Sequence, residues 1–557
     1  MSNGGRSRTR LERVSRIELP PTRLERAWSE CKRPVVLVRL AMCLVAALAI
    51  TGLTRAWEPP FWYRAEYVPA HPLLARVAFQ VPDVNNPDNV QKFEPSDLLA
   101  AVNNPLQPED VRILRYEHEA WLAHLTTAQR ATRATASLGL VLALFGLCGF
   151  YVVYREPRAL RSRNRFASLL LLVVLTVGMT RWLSIDPYRA ELVPMLLFGF
   201  TIAIAYSQEL ALVLSAAVAL VLVMGSGHEL DDFVILMGTN ASAILLCGRI
   251  RSRNKLIKVG SVAAVAAFLL TVGVGVLNEQ PLAKDLFVTA GRNALWTLAT
   301  GFLITGLLPF IEKRFGVLTD ISLLEMGDVS HPLLQELVRR SPGTHNHSIN
   351  VASLAEAAAD AIGANGLLVR VGAYFHDIGK MFKPGYFVEN QQDVNHHEAL
   401  VPAMSTLIII AHVKDGADLA RQHHLPEPII DFIEQHHGTT LVEYFYHRAN
   451  QQSEEHPEKG HVLESSYRYP GPKPQTKEAA VLMLADAVES ASRVLVEPNP
   501  ARLQDLVHEM GLKRLHDGQF DECGLNLQEL RTIEDSLVKS LTAVYHGRVK
   551  YPSSRTA

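Results

Sequence analysis

Hydrophobic positions divide the chain at about residue 313. Before it, long apolar runs alternate with short polar stretches; after it, apolar residues recur with the period of an amphipathic helix. The first run, 35–54, is long enough for a helix to cross a bilayer, which takes about 20 residues. A cleaved signal peptide is the alternative, but the arginine-rich leader is long for one and no clean small-residue cleavage site follows before Trp57. We therefore predict a cytoplasmic basic N-terminus at 1–34 and an uncleaved transmembrane anchor at 35–54.

Seven further apolar runs predict a transmembrane domain at 135–313. Several are short, so the count carries an error of one. The runs lie near 136–154, 166–184, 191–206, 209–226, 232–248, 259–277 and 293–311. The polar stretch 55–134, between the anchor and these runs, has turn signals and a helix-like part around 108–131. It is predicted to be a short extracytoplasmic segment.

Basic residues between the runs predict the orientation of the membrane domain. The stretches 155–165 and 249–258 each carry five lysines or arginines, whereas 227–232 carries none. Loops rich in lysine and arginine face the cytoplasm. One anchor and seven spans then place the N-terminus, both basic stretches and everything after Lys313 on the cytoplasmic side, so charge and count agree.

The remaining residues, 314–557, have the composition of a soluble helical domain and no strand alternation of any length. The polar, proline-bearing stretch 447–477 is predicted to be a long loop or an insertion. Helices are predicted at 351–362, 367–375, 404–424, 427–437 and 478–495. The predicted fold class is all-α: a multi-span helical membrane domain followed by an all-helical soluble domain.

Composition narrows the function. The net charge is −1 and the pI about 7.1, which argues against binding a nucleic acid polymer. Five cysteines are scattered without a CxxC pair and none lies in 55–134, so no disulfide framework is predicted. Arg181 and Arg292 lie near the ends of apolar runs, where long side chains reach the interface. With so few intramembrane charges, a transporter with a regulatory domain is disfavoured.

The soluble domain holds 17 of the 21 histidines, and its chemical centre is the stretch 371–380, VGAYFHDIGK. His376 and Asp377 end an apolar helix there. Five further ligand-type residues lie 29 residues before His376 and 36, 60, 61 and 110 after it: His347, His412, His436, His437 and Asp486. Facing helices build metal sites by directing such side chains inward. Asp377 is the natural bridge, because its two oxygens can each hold one metal.

Two features of this set restrict its geometry. Adjacent histidines on a helix point about 100° apart, so His436 and His437 reach one metal only near a helix end, which Gly438 suggests. The doublet His423-His424 is interpreted as a surface turn. The run 396–398, His-His-Glu, is a third ligand-like cluster that its polar surroundings disfavour.

A mixed histidine and carboxylate centre suits two divalent ions, Mn²⁺ or Fe²⁺. Such a pair favours hydrolysis of a phosphate ester by an activated water, without a protein nucleophile. We predict His376, Asp377 and Lys380 as catalytic residues. Cationic and hydroxyl side chains nearby are predicted to bind the substrate phosphates: Lys380, Thr439, Thr440, Arg468, Lys473 and Thr476, with Lys414 a weaker candidate.

Several motifs carry a resemblance to the HD superfamily of metal-dependent phosphohydrolases. They are SPGTHNHS at 341–348, LLVRVGAYFHDIGKM at 367–381, QHHGTTLVEYFY at 435–446, YPGPKPQTKEAA at 469–480 and ADAVESASR at 485–493. With its membrane layout, the chain resembles the bacterial membrane-anchored seven-transmembrane HD proteins, the PgpH-like cyclic-di-AMP phosphodiesterases. The resemblance implies a multi-pass protein of the bacterial plasma membrane that hydrolyses cyclic di-AMP to linear pApA.

The resemblance also implies a division of the ligands. His347, His376, Asp377 and Asp486 would hold one ion, and Asp377, His412, His436 and His437 the other, with iron or manganese as the metal. Two departures stand out. The external segment, about 80 residues, is much shorter than is usual in this family, and the common Thr-Tyr-His-His-Ser motif is here Thr-His-Asn-His-Ser. The second histidine of that motif, His347, is retained.

Other functions remain open. A cyclic-di-GMP phosphodiesterase of the HD-GYP type shares HDIGK, but here Gly-Thr-Thr follows His437 in place of the expected Gly-Tyr-Pro. A nucleotide pyrophosphohydrolase of another HD branch is a further alternative. A receptor that binds nucleotide without hydrolysis should have lost metal ligands, and all seven positions are filled. A homodimer and an extracytoplasmic ligand are left open.

Overall fold

The computed structural model describes residues 33–546 except for 62, 66, 70, 84–89, 103, 161, 185–187, 227–229, 249, 392–394, 456–460 and 497. The predicted basic N-terminus therefore lies almost entirely outside the described residues. The chain divides into two compact units between Val317 and Leu318. Helices dominate both units, which confirms the predicted all-α class.

In the first unit every predicted apolar run lies in a helix, to within one residue at either end. These helices are α1 (Pro34–Leu53), α3 (Thr127–Arg155), α4 (Arg163–Leu183), α5 (Leu192–Ala205), α6 (Gln208–Ser226), α7 (Leu230–Cys247), α8 (Arg253–Leu277) and α9 (Lys284–Phe315). Among the described residues, seven of them are long and apolar enough to cross a membrane, and α5 is the shorter exception. Its 14 residues span about 21 Å at 1.5 Å per residue, less than the roughly 30 Å of a bilayer core.

Contacts at its two ends show that α5 nevertheless runs from one end of the helix bundle to the other. Just before it, Glu191 lies 3.8 Å from Arg64, whose guanidinium also donates to the Ser184 carbonyl at the end of α4. Just after it, Tyr206 packs edge-on against Phe315 at the end of α9, with ring centroids 5.9 Å apart. The start of α4 lies at that same end, because Arg165 Nη2 would be 3.0 Å from a Cβ placed on Gly316. The eight predicted runs are therefore compatible with eight crossings.

Between α1 and α3 lies a small folded segment with four short strands that the sequence analysis did not predict. Antiparallel pairs join β1 (Leu73–Leu74) with β4 (Leu98–Ala100) and β2 (Phe79–Pro82) with β3 (Val90–Phe93). They pack with α2 (Pro108–Ala123) around a core that includes Phe79, Val81 and Leu114. Strands this short carry too few alternating residues to produce a periodic signal.

In the described part of the second unit, helices form the framework. They are α10 (Asp320–Met326), α11 (Pro332–Arg340), α12 (Pro342–Ala361), α13 (Gly366–Phe375), α14 (Pro402–Gln422), α15 (Glu427–Gln435), α16 (Glu443–Glu455), α17 (Lys477–Ser492), α18 (Pro500–His516) and α19 (Leu527–His546), with short 3-10 helices between α13 and α14 and at Glu464–Tyr467. The apolar faces of α12, α13 and α17 share one core, and α17 is buried along nearly its whole length.

Two boundaries differ by many residues from the prediction. Helix α12 begins nine residues before the predicted start at 351, because Pro342 occupies its first turn, where no backbone N–H is needed. The predicted loop at 447–477 is partly wrong, since α16 continues to Glu455. Phe445 and Ala449 on α16 pack against Tyr467 and give that helix a buried face which its polar sequence hides.

Candidate metal centre

Five helices bring all seven predicted metal ligands into one buried centre. His347 lies on α12, His376 and Asp377 follow α13, and His412 lies on α14. The pair His436-His437 follows α15, and Asp486 lies on α17. Within the part of the chain that the structure describes, ligand-type side chains form two groups whose donor atoms all lie within 4.8 Å of one another: Asp377, His412, His436 and His437; and His347, His376 and Asp486. We call them the His412 half and the His347 half.

Asp377 joins the two halves. Its Oδ1 lies 3.3 Å from His412 Nε2 and 3.6 Å from His436 Nε2. Its Oδ2 lies 3.1 Å from His376 Nε2 and 3.6 Å from His347 Nε2. Ligands bound at about 2.1 Å and at right angles around one ion are about 3 Å apart, so each carboxylate oxygen faces a set of donors at ligand spacing. This is the geometry expected of a bridging carboxylate.

Three of the histidines are oriented by their own helices. The Nδ1–H of His376 donates to the Ala373 carbonyl at 2.7 Å, that of His412 to Ile409 at 2.5 Å, and that of His436 to Ile433 at 2.8 Å. Each acceptor lies three residues earlier in the chain. A carbonyl oxygen only accepts, so Nδ1 carries the hydrogen and Nε2 presents its lone pair to the centre.

The bare nitrogens and oxygens inside the centre form a donor set that fits a cation. His412 Nε2 and His436 Nε2 lie 3.3 Å apart, and in the neutral rings neither carries a hydrogen. His376 Nε2 and Asp377 Oδ1 are buried without a hydrogen-bond partner. Buried acceptors that face one another are costly unless a cation lies between them. The donor set therefore fits bound metal ions.

His347 is oriented differently, by a side chain from a distant part of the chain. Its Nδ1 lies 2.7 Å from Glu489 Oε2, and its Nε2 lies 3.0 Å from Asp486 Oδ1. Glu489 follows Asp486 by three residues on α17, so both carboxylates lie on one helix face. Arg493 and Asn350 hold the other oxygen of Glu489. The sequence analysis missed Glu489, although its spacing from Asp486 on an apolar helix was an available signal.

The charges around the centre set the protonation states of the ligands. Burial alone would raise the pKa of Asp377, but His376 and Lys380 hold it well below its usual range. Burial lowers the pKa of His436, and that of His437 further still, so both rings are neutral at pH 7. Burial acts the same way on His347, but the hydrogen bonds that its ring donates to Asp486 and Glu489 overcome it and raise its pKa to about 10. Without metal, His347 thus holds a proton between two carboxylates.

Lys380 forms an ion pair with the bridging carboxylate of Asp377. Its Nζ lies 2.7 Å from Asp377 Oδ2 and 3.0 Å from Glu389 Oε1, and it is largely buried. Burial opposes the charged form, yet the carboxylates of Asp377, Glu389 and Asp486 raise the pKa of Lys380, so it remains a cation. Glu389 also accepts from the Thr344 hydroxyl at 3.0 Å. The predicted substrate contact is thus an internal ion pair, and Glu389 is a second carboxylate that the sequence analysis missed.

Two glycines allow the backbone to assemble the centre. A Cβ on Gly379 would lie 2.0 Å from the carbonyl oxygen of His412 and 2.6 Å from the amide nitrogen of Gly416. The 3-10 helix Ile378–Phe382 therefore rests directly on the backbone of α14, which brings His412 beside Asp377. Gly438 has a φ of +51°, which turns the chain immediately after His437, as its position in the sequence suggested.

The other residues predicted to bind substrate all have partners within the protein. The Thr440 hydroxyl donates to the His437 carbonyl, the Thr439 hydroxyl accepts from Gln519, and Thr476 caps α17. The guanidinium of Arg468 lies 3.0 Å from Asp517 and 2.8 Å from Glu464, and Lys473 lies 3.5 Å from Asp521. Lys414 is exposed. His396 and His397 do not belong to either metal-ligand group among the described residues; His397 Nε2 lies 2.8 Å from the Tyr386 carbonyl oxygen.

Comparison with known proteins identifies related sequences over both units. The model of the HD domain matches residues 344–491, and that of the 7TM receptor with intracellular HD hydrolase matches 133–319. The cyclic-di-AMP phosphodiesterase PgpH of Bacillus subtilis is 33% identical over 84% of this chain and 66% of its own length. PgpH of Listeria monocytogenes is 40% identical over 58% of this chain and 44% of its own length. An uncharacterised Synechocystis protein, slr0104, is 34% identical over 76% and 52%.

The chain thus spans about two thirds of the length of the Bacillus subtilis relative and about half or less of the other two. Among solved structures, the HD domain of Listeria monocytogenes PgpH is similar, both alone and in complex with cyclic di-AMP. Its sequence is 49% identical, and all of that chain is covered by 39% to 40% of this one, with a TM-score of 0.37.

Proposed function

The chain belongs to the family of seven-transmembrane proteins with an HD hydrolase domain, and on that premise we propose that it is a metal-dependent phosphodiesterase that hydrolyses cyclic di-AMP to linear pApA. The observation that carries the proposal is the set of bare, buried donor atoms on both sides of Asp377. Degenerate nucleotide receptors have no reason to retain seven such ligands. The choice of cyclic di-AMP as substrate follows the activity of the PgpH relatives.

We propose that two Mn²⁺ or Fe²⁺ ions occupy the centre. His347, His376, Asp377 and Asp486 would hold one, and Asp377, His412, His436 and His437 the other. When bound, such a pair supplies Lewis acidity toward phosphoryl oxygens and makes water nucleophilic at neutral pH. Imidazole and carboxylate donors together suit manganese or iron. Structural zinc is usually held in cysteine-rich sites instead.

The residues of the chain prepare this chemistry in three ways. Lys380 keeps Asp377 ionised, so both of its oxygens remain acceptors. The carbonyl partners of His376, His412 and His436 hold the Nε2 atoms in the tautomer that binds metal. Six of the ligands are buried, whereas the side chain of His437 is 23% exposed. Substrate therefore approaches from the His437 side, where the ring of Tyr469 stacks on His437 with centroids 4.3 Å apart.

We also propose that the second unit lies in the cytoplasm of a bacterial cell, where cyclic dinucleotides act as second messengers. Arg165, at the edge of the basic stretch 155–165, lies beside Gly316, the residue that ends α9. Gln208 donates to the carbonyls of Ile244 and Leu245, close to the basic stretch 249–258. Both basic stretches and the exit of the membrane unit therefore belong to one end of the bundle, which supports a cytoplasmic location. A homodimer and an extracytoplasmic ligand remain predictions.

The test is hydrolysis by the full chain, purified in detergent micelles and loaded with Mn²⁺ or Fe²⁺. Cyclic di-AMP and cyclic di-GMP are compared, with pApA and pGpG separated chromatographically. We expect pApA as the main product, its loss in Asp377→Ala, and wild-type rates in Asp418→Asn, an exposed carboxylate on α14. A preference for cyclic di-GMP would show that the proposed substrate is wrong, but the proposed metal centre would stand. If neither substrate gave product while both ions were bound, the proposal that the chain is an enzyme would be wrong.

A further inference from the structure

The predicted phosphate-binding side chains leave a gap in substrate recognition. A cyclic dinucleotide carries two phosphodiester groups, and the metal centre acts on one of them. Lys380, Arg468 and Lys473 are each engaged with carboxylates of the protein. A cation for the second phosphate must therefore come from elsewhere.

Arg514, in the last turn of α18, is a cation whose hydrogen-bonding capacity is not used within the protein. Its Nε is buried without a hydrogen-bond partner, and among the described residues its guanidinium forms no hydrogen bond or ion pair. A guanidinium offers five N–H donors, and the Nε–H of Arg514 is the one that is buried without an acceptor. Leaving buried charged donors unsatisfied is unfavourable unless a ligand completes them.

Acidic groups surround Arg514 but are already engaged with other residues. The charges that act on it are those of Asp486, Glu443 and Asp517. Each of these carboxylates has another partner: Asp486 lies 3.0 Å from His347, Glu443 lies 2.7 Å from Lys513, and Asp517 lies 3.0 Å from Arg468. Burial lowers the pKa of Arg514, and these carboxylates oppose that effect while they are paired with other residues.

Arg514 lies on the segment that packs against the exposed side of the centre. Its carbonyl accepts from the backbone N–H of Gln519, whose side chain is hydrogen-bonded to Thr439, two residues after His437. His437 is the partly exposed ligand, and Tyr469 stacks on its ring. Lys380, by contrast, approaches the bridge from the side of Glu389. A substrate that enters past His437 therefore meets Arg514.

We propose that Arg514 binds the phosphodiester of the cyclic dinucleotide that is not being hydrolysed. The planar guanidinium matches two phosphate oxygens through paired, charge-assisted hydrogen bonds. Its place outside the ring of ligands assigns it to the second phosphate, because the reacting phosphate lies at the metal ions. The inference rests on the proposed function and adds to it the residue that selects substrates with two phosphates.

The test compares two substrates on the full chain loaded with Mn²⁺: cyclic di-AMP, with two phosphates, and bis(4-nitrophenyl) phosphate, with one. For Arg514→Gln we expect the KM for cyclic di-AMP to rise about 10- to 100-fold, the effect of losing charged hydrogen bonds. The change in kcat should be smaller. The loss in kcat/KM should be at least about fivefold larger for cyclic di-AMP than for the simple diester. Arg514→Lys keeps the charge but lacks the planar guanidinium, so its KM for cyclic di-AMP should lie between those of wild type and Arg514→Gln. Arg531→Gln, an exposed arginine of α19, is the charge-matched control.

Each outcome has a meaning. Equal losses on both substrates would overturn the inference, because they would mean that Arg514 acts on the centre through Asp486. An unchanged KM for cyclic di-AMP in both Arg514 variants would overturn it as well. If wild-type protein hydrolysed only the simple diester, the proposed substrate would fail, independently of Arg514. If Arg514→Gln lost its metal and its fold, Arg514→Lys would provide the test. Its kcat/KM for cyclic di-AMP should then fall more than its kcat/KM for the simple diester.

Discussion

The two halves of the metal centre are organised by different means. In the His412 half, the rings of His412 and His436 are aligned by carbonyls three residues earlier in the same chain segment. In the His347 half, the ring of His347 is aligned by Glu489, 142 residues later. The first arrangement exists as soon as the helix forms, whereas the second requires α12 to pack on α17. We infer that His412 and His436 are oriented locally, as is His376 in the other half, whereas the orientation of His347 depends on tertiary structure.

The largest effect should come from the ligand that both halves share. Asp377→Ala removes both bridging oxygens, so we expect loss of both ions and a fall in hydrolysis on the order of 10³-fold or more, beyond the roughly 10- to 100-fold typical of losing a residue behind a ligand. Metal content by mass spectrometry and steady-state rates measure it. Retention of one tightly bound ion would show that the halves are independent.

The pH dependence of metal affinity should separate the halves. With a pKa of about 10, His347 is protonated at pH 7, and an incoming ion must displace that proton. Affinity of the His347 half should therefore rise about tenfold per pH unit between pH 7 and pH 9, about 100-fold in all. The pKa values of His436 and His437 are lowered, so these rings are already neutral and should contribute no such slope. Competition with a chelator at several pH values measures both affinities; equal slopes would contradict the comparison.

Glu489→Gln should weaken one half selectively. The amide holds His347 less firmly and makes its ring a weaker donor, so we expect the affinity for one ion, corrected for proton competition, to fall about tenfold or more. The pH slope of that half should become shallower. Calorimetric titration of the metal-free protein resolves the two ions, with Glu427→Gln, an exposed carboxylate of α15, as the control. Equal weakening of both ions would show that Glu489 supports the whole domain rather than His347.

The smallest effect should come from Glu389→Gln, which acts on both halves through Lys380. One charged hydrogen bond to Lys380 is lost while the bond to Asp377 remains. The expected cost is about 1.5 to 3 kcal/mol of stability. It should appear as a lower temperature of half-inactivation, without selective loss of either ion. Glu398→Gln, an exposed carboxylate nearby, is the control, and loss of only one ion would contradict this interpretation.

The sequence predicted what depends on residue type and helical period. The family resemblance and the all-α class are confirmed, and the seven ligand positions lie together because each is a histidine or aspartate at the inner face or end of a helix. Glu489 and Arg514 were missed, because their roles depend on residues far away in the chain. Lys380 was expected to contact substrate, but its partner Glu389 becomes visible only in three dimensions. Hydropathy could not predict how α5 is placed. Its burial among other helices lets so short a segment run the length of the bundle.

The contact of Gly379 with the backbone of α14 has a consequence for mutational tolerance. Gly379 binds no metal and no substrate, yet its neighbours are backbone atoms that cannot rotate away. In a saturation mutagenesis screen of this chain, every substitution at Gly379 should therefore score as badly as loss of a ligand. At Ile378, which packs among side chains, similar apolar residues should be accepted. A position without any chemistry would thus be as invariant as the residues that perform it.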